Sequence, residues 1–404
     1  MKVKRRILFV DDEPRILKGL QRMLRKMRNE WEVDFAEGGQ EALDILNKSD
    51  FDVVVSDMRM PGMDGSQLLS TIQKKWPNIV RIVLSGQSDQ DMILKSVRPA
   101  HQYLSKPCNP EVLRTTVSRA CALRDLLTQD SLKRLVSKTE YIPSLPDLHN
   151  QIVKALKEDK SIKEIGKIIS KDPAMTAKIL QLVNSAFFGV PSHVSNPEQA
   201  VHLLGLETVK SLALTIEVFS EFDKVIASEI NISKIYEHSI LTGSLARKIA
   251  KEEVADREII DNALMAGMLH DIGKLILIAN LPEEYLGVIK CSKSDNISIY
   301  DAENKKIGAS HAEIGAYLLG LWGLPDTIVE GVAFHHNPMG APDREFTPIT
   351  AVYIANLLID RQNAKEGEIV ENFNVEYLEA LDLSGKLELW NELLLQIKEG
   401  GENE

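Results

Sequence analysis

Along residues 1–122, short apolar runs alternate with amphipathic stretches. The runs Ile7–Val10, Val33–Ala36, Val53–Val55 and Ile79–Leu84, with a weaker one at Gln102–Leu104, have the length and boundaries of strands. Between them Ile16, Leu17, Leu20, Met23, Leu24 and Met27 recur at helical spacing, as do Ala42, Leu43 and Leu46, and then Leu68, Leu69 and Ile72. Strands alternating with helices predict an α/β fold: a doubly wound, five-stranded parallel sheet covered on both faces. In such sheets ligands bind beyond the carboxyl ends of the strands.

Past residue 140 strand patterns nearly vanish and an all-α half begins. Asp172-Pro173 and Asn196-Pro197 each read as a helix cap followed by proline at the first helical position. Apolar stripes follow at Ile162, Ile165, Ile168 and Ile169, then at Met175, Ile179, Leu182 and Val183. Between the halves, Glu111 to Val136 is a helical pattern without proline or glycine, carrying Leu113, Val117, Ala120, Leu127 and Leu135. Two readings stay open there: a last helix running on into a linker, or a linker helix that forms a homodimer as a short coiled coil. The polar, glycine-containing end from Lys398 is expected to fray. The expected organisation is 1–122, a helical linker over 123–139, a helical domain over 140–345, a helical extension over 346–397 and a tail over 398–404.

A length of 404 residues exceeds one ordinary core, in line with this division. The net charge of −11 argues against broad binding of nucleic acid or anionic membrane. Val201 to Leu214 mimics a helix-turn-helix, but its reading helix offers only Lys210, so no DNA partner is expected. Three scattered cysteines, Cys108, Cys121 and Cys291, form neither a disulfide framework nor a metal pair, as in a reducing cytoplasm. Ala263 to Leu281 is the longest apolar stretch; His270, Asp271 and Lys274 interrupt it, so no membrane span is expected.

Asp11 and Asp12 follow the first expected strand and Asp57 follows the third, which gathers three carboxylates in one crevice. Their repulsion requires a cation, and an all-oxygen set suits Mg²⁺. Ser85 and Lys106 fall at the ends of the fourth and fifth strands. The sequence Val10-Asp11-Asp12-Glu13-Pro14, the loop Ser56-Asp57-Met58-Arg59-Met60-Pro61-Gly62-Met63-Asp64-Gly65, Ser85-Gly86 and Tyr103-Leu104-Ser105-Lys106-Pro107 resemble the receiver domain of bacterial response regulators. That resemblance implies a flavodoxin-like fold and phosphorylation of Asp57 by a sensor histidine kinase. It further implies Mg²⁺ on Asp11, Asp12, Asp57 and the backbone carbonyl of Arg59, with Lys106 and Ser85 on the phosphate. Tyr103 would be an aromatic switch, and the Lys106-Pro107 bond would be cis.

A second constellation lies in the helical half. His238, His270, Asp271, His311, His335 and His336 fall within about one hundred residues, and imidazole with carboxylate is a transition-metal ligand set. His270-Asp271-Ile272-Gly273-Lys274, His311-Ala312-Glu313-Ile314-Gly315, Trp322-Gly323-Leu324-Pro325 and His335-His336 resemble the HD superfamily of metal-dependent phosphohydrolases. Leu145-Pro146-Asp147-Leu148, Ile169 to Ala174 and Leu182 to Ala186 resemble its HDOD branch, the HD-related output domain. The glycine-rich segment of the HD-GYP phosphodiesterases is missing after His336, and Asn356 stands where the superfamily's last aspartate ligand would fall. The expectation is a response regulator whose output domain signals to an unidentified downstream protein. The alternative is a phosphorylation-gated, metal-dependent phosphohydrolase acting on a cyclic dinucleotide.

Overall fold

The computed structural model describes the chain except residues 1–3, 86–99, 124–128, 140–150, 153, 156, 157, 159, 185–193, 206–208, 210–229, 342–344, 365–371 and 402–404. Leu145 to Leu148, Ser185, Ala186 and most of the helix-turn-helix mimic therefore lie outside the described residues, as does Gly86. Two compact units emerge. One comprises Met1–Tyr141 with Gln181–His193 and Gly320–Gly323; the other comprises Ile142–Leu180, Val194–Leu319 and Leu324–Glu404.

In the first unit all five apolar runs are strands: β1 (Arg5–Val10), β2 (Trp31–Ala36), β3 (Val53–Asp57), β4 (Val80–Ser85) and β5 (Gln102–Ser105). They pair in parallel in the order β2-β1-β3-β4-β5. Helices α1 (Pro14–Met23), α2 (Gly39–Leu46), α3 (Gly65–Lys75) and α4 (Pro110–Leu123) supply crossovers and cover. Residues of β3 are buried throughout, as a central parallel strand with helices on both faces requires. The order sets the carboxyl ends of β1 and β3 side by side, with those of β4 and β5 following; Asp57 pairs with Leu84 and Ser85 with Ser105.

The stretch between the halves is not one helix. Gln129 is extended (φ −88°, ψ 122°), and a separate α5 (Asp130–Lys138) starts after it. Leu132 and Val136 on α5 are buried and Leu135 is half-buried, while Leu127 lies outside the described residues. A buried arginine on β4 fixes its end: Arg81 Nη2 donates to the Ser137 carbonyl at 2.7 Å and Nη1 to the Ile79 carbonyl at 3.1 Å.

In the second unit α6 (Ile162–Ile169), α7 (Pro173–Val183) and α8 (Pro197–Leu204) precede a helical core. That core contains α9 (Ile232–Glu253), α10 (Arg257–Leu269), α11 (Ile272–Asn280), α12 (Pro282–Asp295), α13 (Ile299–Lys306), α14 (His311–Leu321), α15 (Asp326–Ala333) and α16 (Pro348–Asn363). The apolar stretch 257–280 is long enough to cross a membrane, yet 83% of its most apolar window is buried within the chain, as in a core helix. α9 and α10 approach closely because Gly243 faces Gly267; a Cβ on Gly267 would meet the Gly243 Cα at 2.7 Å. Two further helices, α17 (Val375–Ala380) and α18 (Leu387–Gly401), close the chain. α18 runs through Gly401, with Trp390, Leu393 and Leu394 buried and Lys398 favourable in its last turn; residues 402–404 of the expected tail lie outside the described residues.

Both caps that stand before a proline form. Asn196 accepts from the Gln199 N–H at 3.1 Å, and Asp172 Oδ1 accepts from Ala174 N at 3.0 Å and Met175 N at 3.1 Å. Burial pushes the Asp172 carboxyl up to about 7, against the pull of those two N–H groups. A carboxyl raised on folding stabilises the chain below its unfolded value, and that contribution is lost as pH rises through the folded one. Relative to Asp172→Asn, which does not titrate, the wild type should lose roughly 2 kcal/mol between pH 5 and pH 8. Urea unfolding of both proteins across that range measures it, and a constant difference would refute the shift.

Candidate phosphorylation and metal sites

At the carboxyl edge of the sheet, one carboxylate oxygen each from Asp11, Asp12 and Asp57 lies within 4.8 Å of the others. Asp11 and Asp57 are buried and Asp12 is half-buried. Lys106, just past β5, reaches into the group: its Nζ donates to Asp11 Oδ2 at 2.6 Å and stands 2.7 Å from Asp57 Oδ1. The Lys106-Pro107 bond is cis. Burial raises the Asp57 carboxyl above its ordinary value, with Lys106 working against the rise and Asp11 adding to it. Lys106 is raised too: burial would lower it, but hydrogen bonds to Asp11 and Asp57 prevail, so it stays charged.

The loop after Asp57 is held by its own helix. Asp64 Oδ1 accepts from Gln67 N at 2.8 Å and Gln67 Oε1 accepts from Asp64 N at 3.2 Å, a capping box on α3. Gly65 N donates to the Met58 carbonyl at 2.9 Å, and a Cβ on Gly65 would run into the Asp57 carbonyl. Ser85 occupies the last position of β4, and Tyr103 on β5 is buried. Three carboxylates against one ammonium, all oxygen donors at a strand-end crevice, fit a small divalent cation such as Mg²⁺.

In the second unit the six expected residues fall into two triads: His311, His335 and His336; and His238, His270 and Asp271. His238 lies on α9, His270 and Asp271 at the break between α10 and α11, His311 at the start of α14, and His335 and His336 just after α15. The helix break at His270-Asp271 falls two residues before Gly273. A Cβ on Gly273 would overlap the His311 carbonyl, so glycine lets the start of α11 lie directly on the start of α14.

Hydrogen bonds fix several rings. His270 Nδ1 lies 2.7 Å from the Gly267 carbonyl and His335 Nδ1 2.7 Å from the Val332 carbonyl, so both carry the proton on Nδ1. His311 Nδ1 lies 2.6 Å from Glu303 Oε2. Burial drives His270 down to about 3 and His335 well below its ordinary value, leaving both neutral and able to bind a metal. Burial alone would raise the Asp271 carboxyl, but His270 and Lys274 outweigh it and hold the net value well below normal. With His270 itself neutral, the Lys274 ammonium, 2.8 Å from Asp271 Oδ2, and the His311 ring, 3.2 Å from Oδ1, are the groups that hold it down.

Sequence reasoning gave no role to fully buried Glu303, to Lys274 as the partner of Asp271, or to Tyr300, whose ring lies 4.8 Å from that of His336. Glu303 stands eight residues before His311 in a polar helix, and only the tertiary fold turns it inward.

The architecture and the acidic crevice define a response-regulator receiver with a helical output half. Family profiles agree: the response regulator receiver domain matches residues 7–118 and the HDOD domain matches residues 142–338. The chain is thus a receiver domain followed by an HDOD domain, and the receiver implies a cognate histidine kinase. An uncharacterized protein of Treponema pallidum (strain Nichols) is 28% identical over 250 residues, covering 60% of this chain and 48% of that protein. The transcriptional regulatory protein GlrR of Escherichia coli (strain K12) is 36% identical over 115 residues, covering 28% of this chain and 26% of that one. The solved MmoQ response regulator from Methylococcus capsulatus is 20% identical with a TM-score of 0.49, covering 63% of this chain and 98% of that chain. The chain spans less than half the length of these curated relatives.

Proposed function

We propose that this chain is a cytoplasmic two-component response regulator phosphorylated on Asp57, whose HDOD half signals by binding a downstream protein. The observation that carries the reading is Lys106 Nζ bridging Asp11 Oδ2 and Asp57 Oδ1 at 2.6 and 2.7 Å in a crowd of carboxylates. An Asp57 carboxylate oxygen attacks the phosphorus of a phospho-histidine, the P–N bond breaks, and the imidazole leaves with the electron pair, giving an acyl phosphate. Asp11, Asp12, Asp57 and the Arg59 carbonyl would hold Mg²⁺, which offsets charge on the transferring oxygens. Lys106 pairs with the new phosphate and the Ser85 hydroxyl donates to it. The added charge of about −1.5 to −2 then biases the packing of Tyr103 and, through it, the receiver surface.

Acetyl phosphate with Mg²⁺ should add one phosphoryl group to the full chain, mapped by mass spectrometry to residue 57 and prevented by EDTA. No incorporation, or incorporation elsewhere, overturns the reading.

Convergence of the His311, His335 and His336 nitrogens favours a second reading, a metal-dependent phosphohydrolase. Neutral Asn356 beside His238 weighs against it. Turnover of cyclic dinucleotides by metal-loaded protein would decide in favour of the enzyme.

A further inference from the structure

The six residues form two triads that could each hold a metal ion, and this chain's own contacts disagree with a count of two. We infer that the helical half holds one divalent transition-metal ion, on His311, His335, His336 and Asp271 Oδ1, and that the second position is closed by Asn356 and Lys274. The inference rests on reading this half as HD-related, and it is independent of Asp57 chemistry.

The first position is built for a cation. With Nδ1–H given to the Val332 carbonyl, the His335 ring presents a bare Nε2 lone pair; with Nδ1 turned to Glu303 Oε2, the His311 ring points its own Nε2 at the same spot, where a metal would take the place of a proton. Those two nitrogens face each other at 3.2 Å, and His336 Nε2 is also 3.2 Å from His311 Nε2. Asp271 Oδ1 lies 3.2 Å from His311 Nε2, buried and without a hydrogen-bond donor. A metal bound about 2.0–2.1 Å from each nitrogen separates neighbouring ligands by roughly 2.8–3.4 Å, from octahedral to tetrahedral angles. The three separations about His311 Nε2, each 3.2 Å, fall in that window. Glu303 behind His311 is the carboxylate that orients a metal-bound imidazole, and three nitrogens with one oxygen select a transition metal over Mg²⁺.

The second position is occupied by hydrogen bonds. His238 Nε2 lies 2.8 Å from Asn356 Oδ1 and 3.2 Å from His270 Nε2. Since His270 keeps its proton on Nδ1, one Nε2–H on His238 is shared between both acceptors and leaves neither Nε2 a free lone pair. Asp271 Oδ2, the atom that would bridge to a second ion, is held by Lys274 Nζ at 2.8 Å. Asn356 brings no charge where an aspartate would. A second dication would therefore displace an ammonium and break the His238–Asn356 bond without a new anion in return.

The test is metal stoichiometry by mass spectrometry of the desalted full chain after Zn²⁺ loading. Asp11→Asn and Asp12→Asn are present throughout, so the receiver crevice contributes no ion. One ion per chain is expected. Asn356→Asp should raise the count to two, His238→Ala should leave it at one, and His335→Ala should abolish it. Circular dichroism accompanies each variant, and if His335→Ala unfolds, the other two still decide. Two ions in the parent, or loss of the ion in His238→Ala, would overturn the assignment. No ion in the parent would also overturn it, pointing to a proton on His311 in the metal's place; an unchanged count in Asn356→Asp would overturn the closed second position.

Discussion

Alanine at position 273 should lower the stability of the helical half by about 3 kcal/mol and dismantle its histidine cluster. The added methyl group would meet the His311 carbonyl, a backbone atom at the start of α14, and no flexible side chain is available to yield. Relief requires α11 and α14 to separate, which moves Asp271 away from His311. Urea denaturation should show the loss, and metal content should fall with it. A wild-type midpoint with an intact metal count would mean that the two helix starts tolerate more space than their contact implies.

The second large effect concerns the receiver. Lys106→Met leaves buried Asp11 and Asp57 facing Asp12 with no ammonium among them. Removing one partner of a buried charge cluster costs roughly 3 kcal/mol, because the remaining charges keep their burial and lose their compensation. Millimolar Mg²⁺ should restore most of it, since a divalent ion between the same carboxylates replaces the missing charge. Hydrogen exchange of β3 and β4 amides, with and without Mg²⁺, localises the effect. Equal protection in both conditions would show that the crevice does not hold the ion.

The receiver was readable from sequence because each of its determinants is local. Apolar runs mark the strands, and the active residues sit at strand ends where parallel topology must bring them together. In the helical half the ligands were readable as residue types but not as a geometry. The atoms that orient them are the carbonyls of Gly267 and Val332 and the carboxylate of Glu303, none of which carries a sequence signature. The break at Gln129 was hidden for another reason. No proline or glycine marks it, and α5 takes its position from tertiary partners: Leu132 and Val136 buried beneath it, and Arg81 holding its end.

Arg81 also redraws where the receiver can be cut. A guanidinium sealed under β4 and bonded to the Ser137 carbonyl has no counterpart in a fragment that stops at Leu123, which would bury that charge with one acceptor fewer. The transplantable module therefore runs through Lys138. Swapping this receiver for another at the end of α4 would exchange a strand that carries the grip while leaving behind the helix it was made to hold.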